Sequence, residues 1–149
     1  MVSRLESPAY ETPIVGQTDE LRTKAPSQPI SGSADENRRA LVTVVVPTLN
    51  EEVAIGPLLT EIYEAGYKNV VVVDGYSTDG TVSVASKHDV KVLNQHGKGK
   101  AGAVQTALEM VWTPYLLVMD GDYTYDPADI DRFIASADSY DMVIGFRPK

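Results

Sequence analysis

The chain has no cysteine. That excludes disulfides, thiolate metal sites and a cysteine nucleophile. It has two histidines, His88 and His96, isolated from one another, of which His96 borders the glycine segment 97–102. Neither a metal-binding histidine pair nor a Ser-His-Asp order can be assembled from them by motif. Basic residues are few: 13 Lys and Arg against 21 Asp and Glu, a formal net charge of -8. A nucleic-acid partner, which needs a basic face, is therefore not expected. No run of about 18 apolar residues is present, so no membrane-spanning helix is expected. The N-terminus also lacks the apolar core of a signal peptide, and a cytoplasmic location is expected.

What is present suits one soluble domain. Hydrophobic residues make up 43% of the 149 residues and charged residues 23%, ordinary values for a globular protein. The first 39 residues differ from the rest. Pro8, Pro13, Pro26 and Pro29 sit among Ser, Thr, Glu and Gln, with apolar residues scattered without period. This stretch is expected to be a disordered tail, 1–39, ahead of a domain over 40–149.

From Leu41 the pattern alternates between strands and helices. Strands are expected at 41–46, 70–73, 90–93, 115–119 and 142–144, each rich in Val, Ile, Leu or Tyr. Helices are expected from Pro57, at its first turn, to about Ala65, then over 81–87, over 101–112, and from Asp126 and Pro127 to about Ala137. Near-continuous apolar strands imply an α/β fold, a mostly parallel sheet with helices on both faces. In such sheets ligands sit outside the carboxyl ends of the strands. Five polar segments fall there: 48–52, 74–81, 95–102, 120–126 and Arg147.

Asp120, Gly121 and Asp122 leave the end of an apolar strand together. Two close carboxylates repel unless something positive sits between them. A hard divalent cation, Mg²⁺ or Mn²⁺, carrying a phosphorylated ligand would relieve this. A solvated turn is the competing reading, since the same tripeptide is good turn chemistry. Asp74, at a strand end, can accept hydrogen bonds from a base or ribose. Asp79 is either a ligand residue or a helix cap. The segment 97–102 offers glycines, which let backbone approach a ligand, and Lys98 and Lys100, which suit a diphosphate at a helix N-terminus. It also matches the G-x-G-x-x-G pattern, with Asp120 at roughly the spacing of a ribose-binding acid. That leaves an NAD-type oxidoreductase as an alternative, and a non-catalytic nucleotide-binding module as a third reading.

Taken in order, these pieces resemble the family 2 glycosyltransferases, especially the polyprenyl- or dolichyl-phosphate hexose synthases. The matching stretches are VVPTLNEE at 45–52, VD with STDGT at 73–81, GKGK at 97–100, VMDGD at 118–122 and DMVIGFR at 141–147. The resemblance implies a glycosyltransferase-A fold and a UDP- or GDP-hexose donor. It implies that Pro47, Thr48 and Glu51 flank the nucleoside and that Asp74 reads base or ribose. Asp120 and Asp122 would hold Mg²⁺ or Mn²⁺ on the diphosphate, with Lys98 and Lys100 adding charge. Asp122 and Arg147 would be the catalytic residues. The implied acceptor is a polyprenyl phosphate at the membrane surface, with inversion at the sugar. Two departures stand out. Gly75 and Tyr76 occupy positions where the family commonly has Asp and Gly. Family members also continue well beyond the arginine, so the domain is expected to be incomplete on its C-terminal side.

Overall fold

Val42–Thr48 (β2) is the central strand of a six-stranded sheet. The computed structural model describes residues 2–4, 34–137 and 139–145. Its other elements are strand β1 (Val2–Arg4), helix α1 (Ala34–Ala40), α2 (Glu52–Glu64), β3 (Val70–Asp74), α3 (Thr81–Ala85), β4 (Lys91–Asn94), α4 (Gly99–Leu108), β5 (Tyr115–Val118), α5 (Ile130–Ala137) and β6 (Met142–Val143). The sheet order is β4-β3-β2-β5-β1-β6. β2 pairs in parallel with both β3 and β5, and β3 with β4. β1 is antiparallel to both its neighbours, β5 and β6.

The core follows the strand period of two. Val42, Val44, Val46, Val70 and Val72 point to one face, where α2, α3 and α5 cover them through Ile55, Leu58, Leu59, Ile62, Ala85, Ile130 and Ile134. Val45, Val71, Val73 and Leu116 point to the other, against Ala103 and Ala107 of α4. Both faces of β2 and β3 are covered, which is why their sequences read as valine runs rather than alternating ones.

The order decides where a ligand can sit. The chain leaves β2 for β3 and β4 on one side, then returns to β5 on the other. β2 and β5 therefore flank the point where the winding reverses, and a crevice opens beyond their carboxyl ends.

Three local expectations need correction. Pro57 is not at the start of α2 but in its second turn. The helix starts earlier because a neighbouring loop caps it: Thr81 Oγ1 accepts from the Glu51 amide at 2.8 Å and Asp79 from that of Glu52 at 3.2 Å. The carbonyl that Pro57 cannot serve belongs to Val53, a residue 89% exposed, where water is at hand. Helix α4 begins at Gly99, two residues before the expected start, and ends at Leu108, four before the expected end.

The third concerns the expected tail. Two of its segments are ordered elements: Val2–Arg4 lies between β5 and β6, and Ala34–Ala40 is helical. The helix carries Asp35 and Glu36 in its first turn and Arg38 and Arg39 in its last, matching the helix dipole. Arg39 reaches α5, where its guanidinium donates to Asp131 at 2.6 Å and 3.2 Å. Tyr67 donates to the same carboxylate at 2.5 Å. A three-residue strand carries too little period to be seen in sequence. It exists through pairing with β5 and β6. The remainder of 1–39 lies outside the described residues.

Candidate active site

β2 ends in Pro47 and Thr48, and the chain after β5 stays alongside it. The Met119 amide donates to the Val45 carbonyl at 3.0 Å, and that of Gly121 to Pro47 at 3.1 Å. Asp120 and Asp122 are thereby held on either side of a glycine that touches the end of β2. A Cβ on Gly121 would lie 3.1 Å from the Pro47 oxygen and from Thr48 Cβ, closer than packing normally allows. The glycine lets two carboxylates approach the switch point.

A cleft of about 280 Å³ opens there. Pro47, Thr48, Glu51, Lys100, Asp120 and Asp122 all line it. Six of the expected site residues, from three separate loops, thus line one cleft. Lys100 lies in the first turn of α4, and its ammonium is 2.5 Å and 2.7 Å from the two Asp120 oxygens. Among the described residues Asp122 has neutral donors, the Thr124 hydroxyl at 2.7 Å and amide at 3.1 Å.

Asp74 stands at the carboxyl end of β3 and is 1% exposed. Its Oδ2 accepts from the Ser77 amide at 2.9 Å. Its Oδ1 is buried with no partner among the described residues, and so is Thr48 Oγ1. Unpaired buried oxygens are costly. Thr48 lines the cleft, where a polar ligand would satisfy its hydroxyl, and Asp74 ends the adjacent strand. Asp74 itself is not on the cleft wall, but Gly75 is. Lys98 precedes α4 in extended conformation, exposed and away from the cleft lining. Arg147 lies outside the described residues.

The STDGT stretch is mostly structural. Asp79 accepts from the amide and hydroxyl of Thr81 and from the amide of Glu52. The Thr81 hydroxyl holds its carboxyl below the usual range. Gly80 fits against Glu52, whose carboxylate accepts its amide at 3.0 Å. Asp79 therefore anchors two helix starts and does not face the cleft. Sequence reading passed over Asn50 and Gln95. Asn50 ties the first loop to the second, accepting from the Thr78 amide at 2.8 Å and donating its own amide to Ser77 at 2.8 Å. Gln95, nearly buried, lines the cleft beside Gly75. An amide residue just past a strand end was the available signal.

The profile of glycosyl transferase family 2 matches residues 43–149. The chain belongs to that family. Among curated relatives it is 39% identical over 108 residues to glycosyltransferase AglJ of Haloferax volcanii, covering 71% of this chain and 36% of that protein. It is 37% identical over 109 residues to the dolichyl-phosphate hexose transferase of the same organism, covering 71% and 47%. The chain thus spans about a third to a half of these relatives' length. Among solved structures, glucosyl-3-phosphoglycerate synthase from Mycobacterium tuberculosis, in complex with Mn²⁺, UDP and product, superposes with a TM-score of 0.61. That match is 22% identical and covers 68% of this chain and 42% of the other. It shows the shared glycosyltransferase-A fold.

Membership sets aside the NAD-type alternative, and the geometry agrees. The 97–102 glycines follow β4, an edge strand, and not the switch point. Asp120, the would-be ribose acid, is occupied by Lys100.

Proposed function

We propose that this chain provides the donor site of a metal-dependent, inverting glycosyltransferase that moves a hexose from UDP- or GDP-hexose to a polyprenyl phosphate. The observation that carries the reading is the pair Asp120 and Asp122 on one cleft wall with Thr48 and Lys100 at the reversal of the sheet. Asp74 and Thr48, each with a buried oxygen that has no partner among the described residues, are assigned to the nucleoside. Lys100 is assigned to the diphosphate, and Lys98 and Arg147 are kept as further cations for it on the sequence resemblance alone.

The carboxylates fit Mg²⁺ or Mn²⁺ by their chemistry. Both are oxygen donors, and such ions are commonly held by one or two carboxylates with phosphate oxygens and water completing the shell. Among the described residues no third Asp, Glu or His joins them in a metal-binding group. Bound there, the ion would offset charge on the leaving diphosphate. A lipid phosphate is already an anionic nucleophile, so the protein need not supply a strong base to activate it. The relative named dolichyl-phosphate hexose transferase supports that acceptor. A polyprenyl acceptor resides in a bilayer, and we place the reaction at the cytoplasmic membrane face.

The test is calorimetric binding of UDP and GDP with Mn²⁺ and with EDTA. One nucleotide is expected to bind at least tenfold more tightly with Mn²⁺, and Asp120→Asn or Asp122→Asn to remove the difference. Affinity indifferent to EDTA would overturn the metal assignment. Hexose transfer to a short polyprenyl phosphate, and not to a sugar hydroxyl, tests the acceptor.

A further inference from the structure

The ammonium of Lys100 contacts both oxygens of Asp120, at 2.5 Å and 2.7 Å. A metal ion reaching Asp120 needs the same oxygens. We propose that Lys100 is a built-in counter-ion that couples cation binding to diphosphate binding. It guards Asp120 in the empty site and is handed to the phosphates when a divalent cation displaces it. The inference rests on the donor-site reading above and adds to it an order of events.

The charges give the direction. Glu51, Asp120, Asp122 and Lys100 on the cleft wall together carry two negative charges. The cleft then repels a diphosphate, because Lys100, the one lysine on its wall among the described residues, is already neutralised. A divalent cation brings the same four side chains and ion to neutrality. It also frees an ammonium that α4 keeps at the cleft wall. The cation alone gains little, since it must first break the lysine pair. The diphosphate alone gains little, since its lysine is engaged. Together each removes the other's cost, which is positive coupling and is reciprocal by linkage.

The magnitude is bounded by exposure. The Lys100 side chain is 60% exposed and that of Asp120 26%. Pairs of that kind are held by a fraction of a kcal/mol to about 1 kcal/mol. Removing the lysine should therefore tighten binding of the bare cation about two- to fivefold. It should reduce the factor by which the cation strengthens nucleotide binding by the same roughly two- to fivefold, since the pair is broken once for both ligands.

The experiment uses the full chain, Lys100→Gln and Lys100→Arg. Free Mn²⁺ is measured by its electron paramagnetic resonance signal, without nucleotide. UDP and GDP affinities are then measured with saturating Mn²⁺ and with EDTA. We expect Lys100→Gln to bind Mn²⁺ more tightly alone and to lose about two- to fivefold of the coupling, while Lys100→Arg, which keeps the charge, retains much of it. Unchanged Mn²⁺ affinity in Lys100→Gln would overturn the inference. So would a nucleotide affinity reduced by the same factor with and without Mn²⁺, the behaviour of a plain phosphate contact. If the wild-type chain binds neither nucleotide at any Mn²⁺ concentration, the donor-site reading itself falls, and the inference with it.

Discussion

Replacing Gly102 with alanine sets helix propensity against packing. Gly102 is the fourth residue of α4, where Gly→Ala alone should stabilise by about 1 kcal/mol. The new Cβ, however, would lie 2.6 Å from the His96 carbonyl oxygen and 3.0 Å from the Gly97 carbonyl carbon. Both are backbone atoms, so no side chain can swing aside. The loop is also tied down. The His96 amide donates to Thr106 Oγ1 at 2.6 Å, and that hydroxyl donates to the Gly102 carbonyl at 2.8 Å. Overpacking against backbone of this kind costs about 2–3 kcal/mol. The expected net effect is a loss of about 1–2 kcal/mol, or a melting temperature lower by roughly 4–8 °C in a domain of this size. Relief would move the loop before α4, and with it the turn that carries Lys100, so nucleotide affinity with Mn²⁺ should fall as well. Thermal unfolding and calorimetry on Gly102→Ala measure both. Ala101→Gly, exposed in the same turn, is the control that changes propensity without touching the loop. A melting temperature raised in Gly102→Ala would refute the packing argument.

Tyr76 has φ of 66° and is 63% exposed, a left-handed conformation that a bulky side chain adopts at a cost. Tyr76→Asn should raise stability by about 0.5–1 kcal/mol in urea unfolding, and an unchanged midpoint would refute the strain. The Asp131 carboxyl is held below its ordinary value by the Arg39 guanidinium and the Tyr67 hydroxyl. Its contribution is therefore present above the unfolded value near 3.8 and lost as pH falls below it. Asp131→Asn should be less stable than wild type at pH 7 by about 1 kcal/mol or less, after solvent screening, and the gap should close towards pH 2; a gap that widens on acidification would contradict the assignment. Deleting residues 1–38 removes β1 from between β5 and β6 and most of the helix that carries Arg39 to Asp131. A melting temperature lower by 5 °C or more is expected, about 1 kcal/mol or more, and an unchanged one would show that β1 adds nothing to the sheet.

The valine runs at 42–46 and 70–73 announced buried parallel strands, because strands covered on both faces need apolar side chains at every position. The Asp126 cap was legible too, since its partner, the Ala128 amide, lies two residues away. So was the pair Asp120 and Asp122, because a strand followed by two acids is a local pattern. What these signals share is short range. The start of α2 was misplaced because its caps, Asp79 and Thr81, come from a loop about 30 residues on. The strand Val2–Arg4 was missed because three residues hold no period and its bonds go to β5 and β6. The sequence alone thus determined a doubly covered α/β sheet, the polar loops at its carboxyl edge and the oxygen chemistry of one site. Only the tertiary structure decided that β5 returns beside β2 rather than β4, which brings Asp120 against Pro47, Thr48 and Lys100. Strand order is set by packing between distant segments, and no local pattern of residues encodes it.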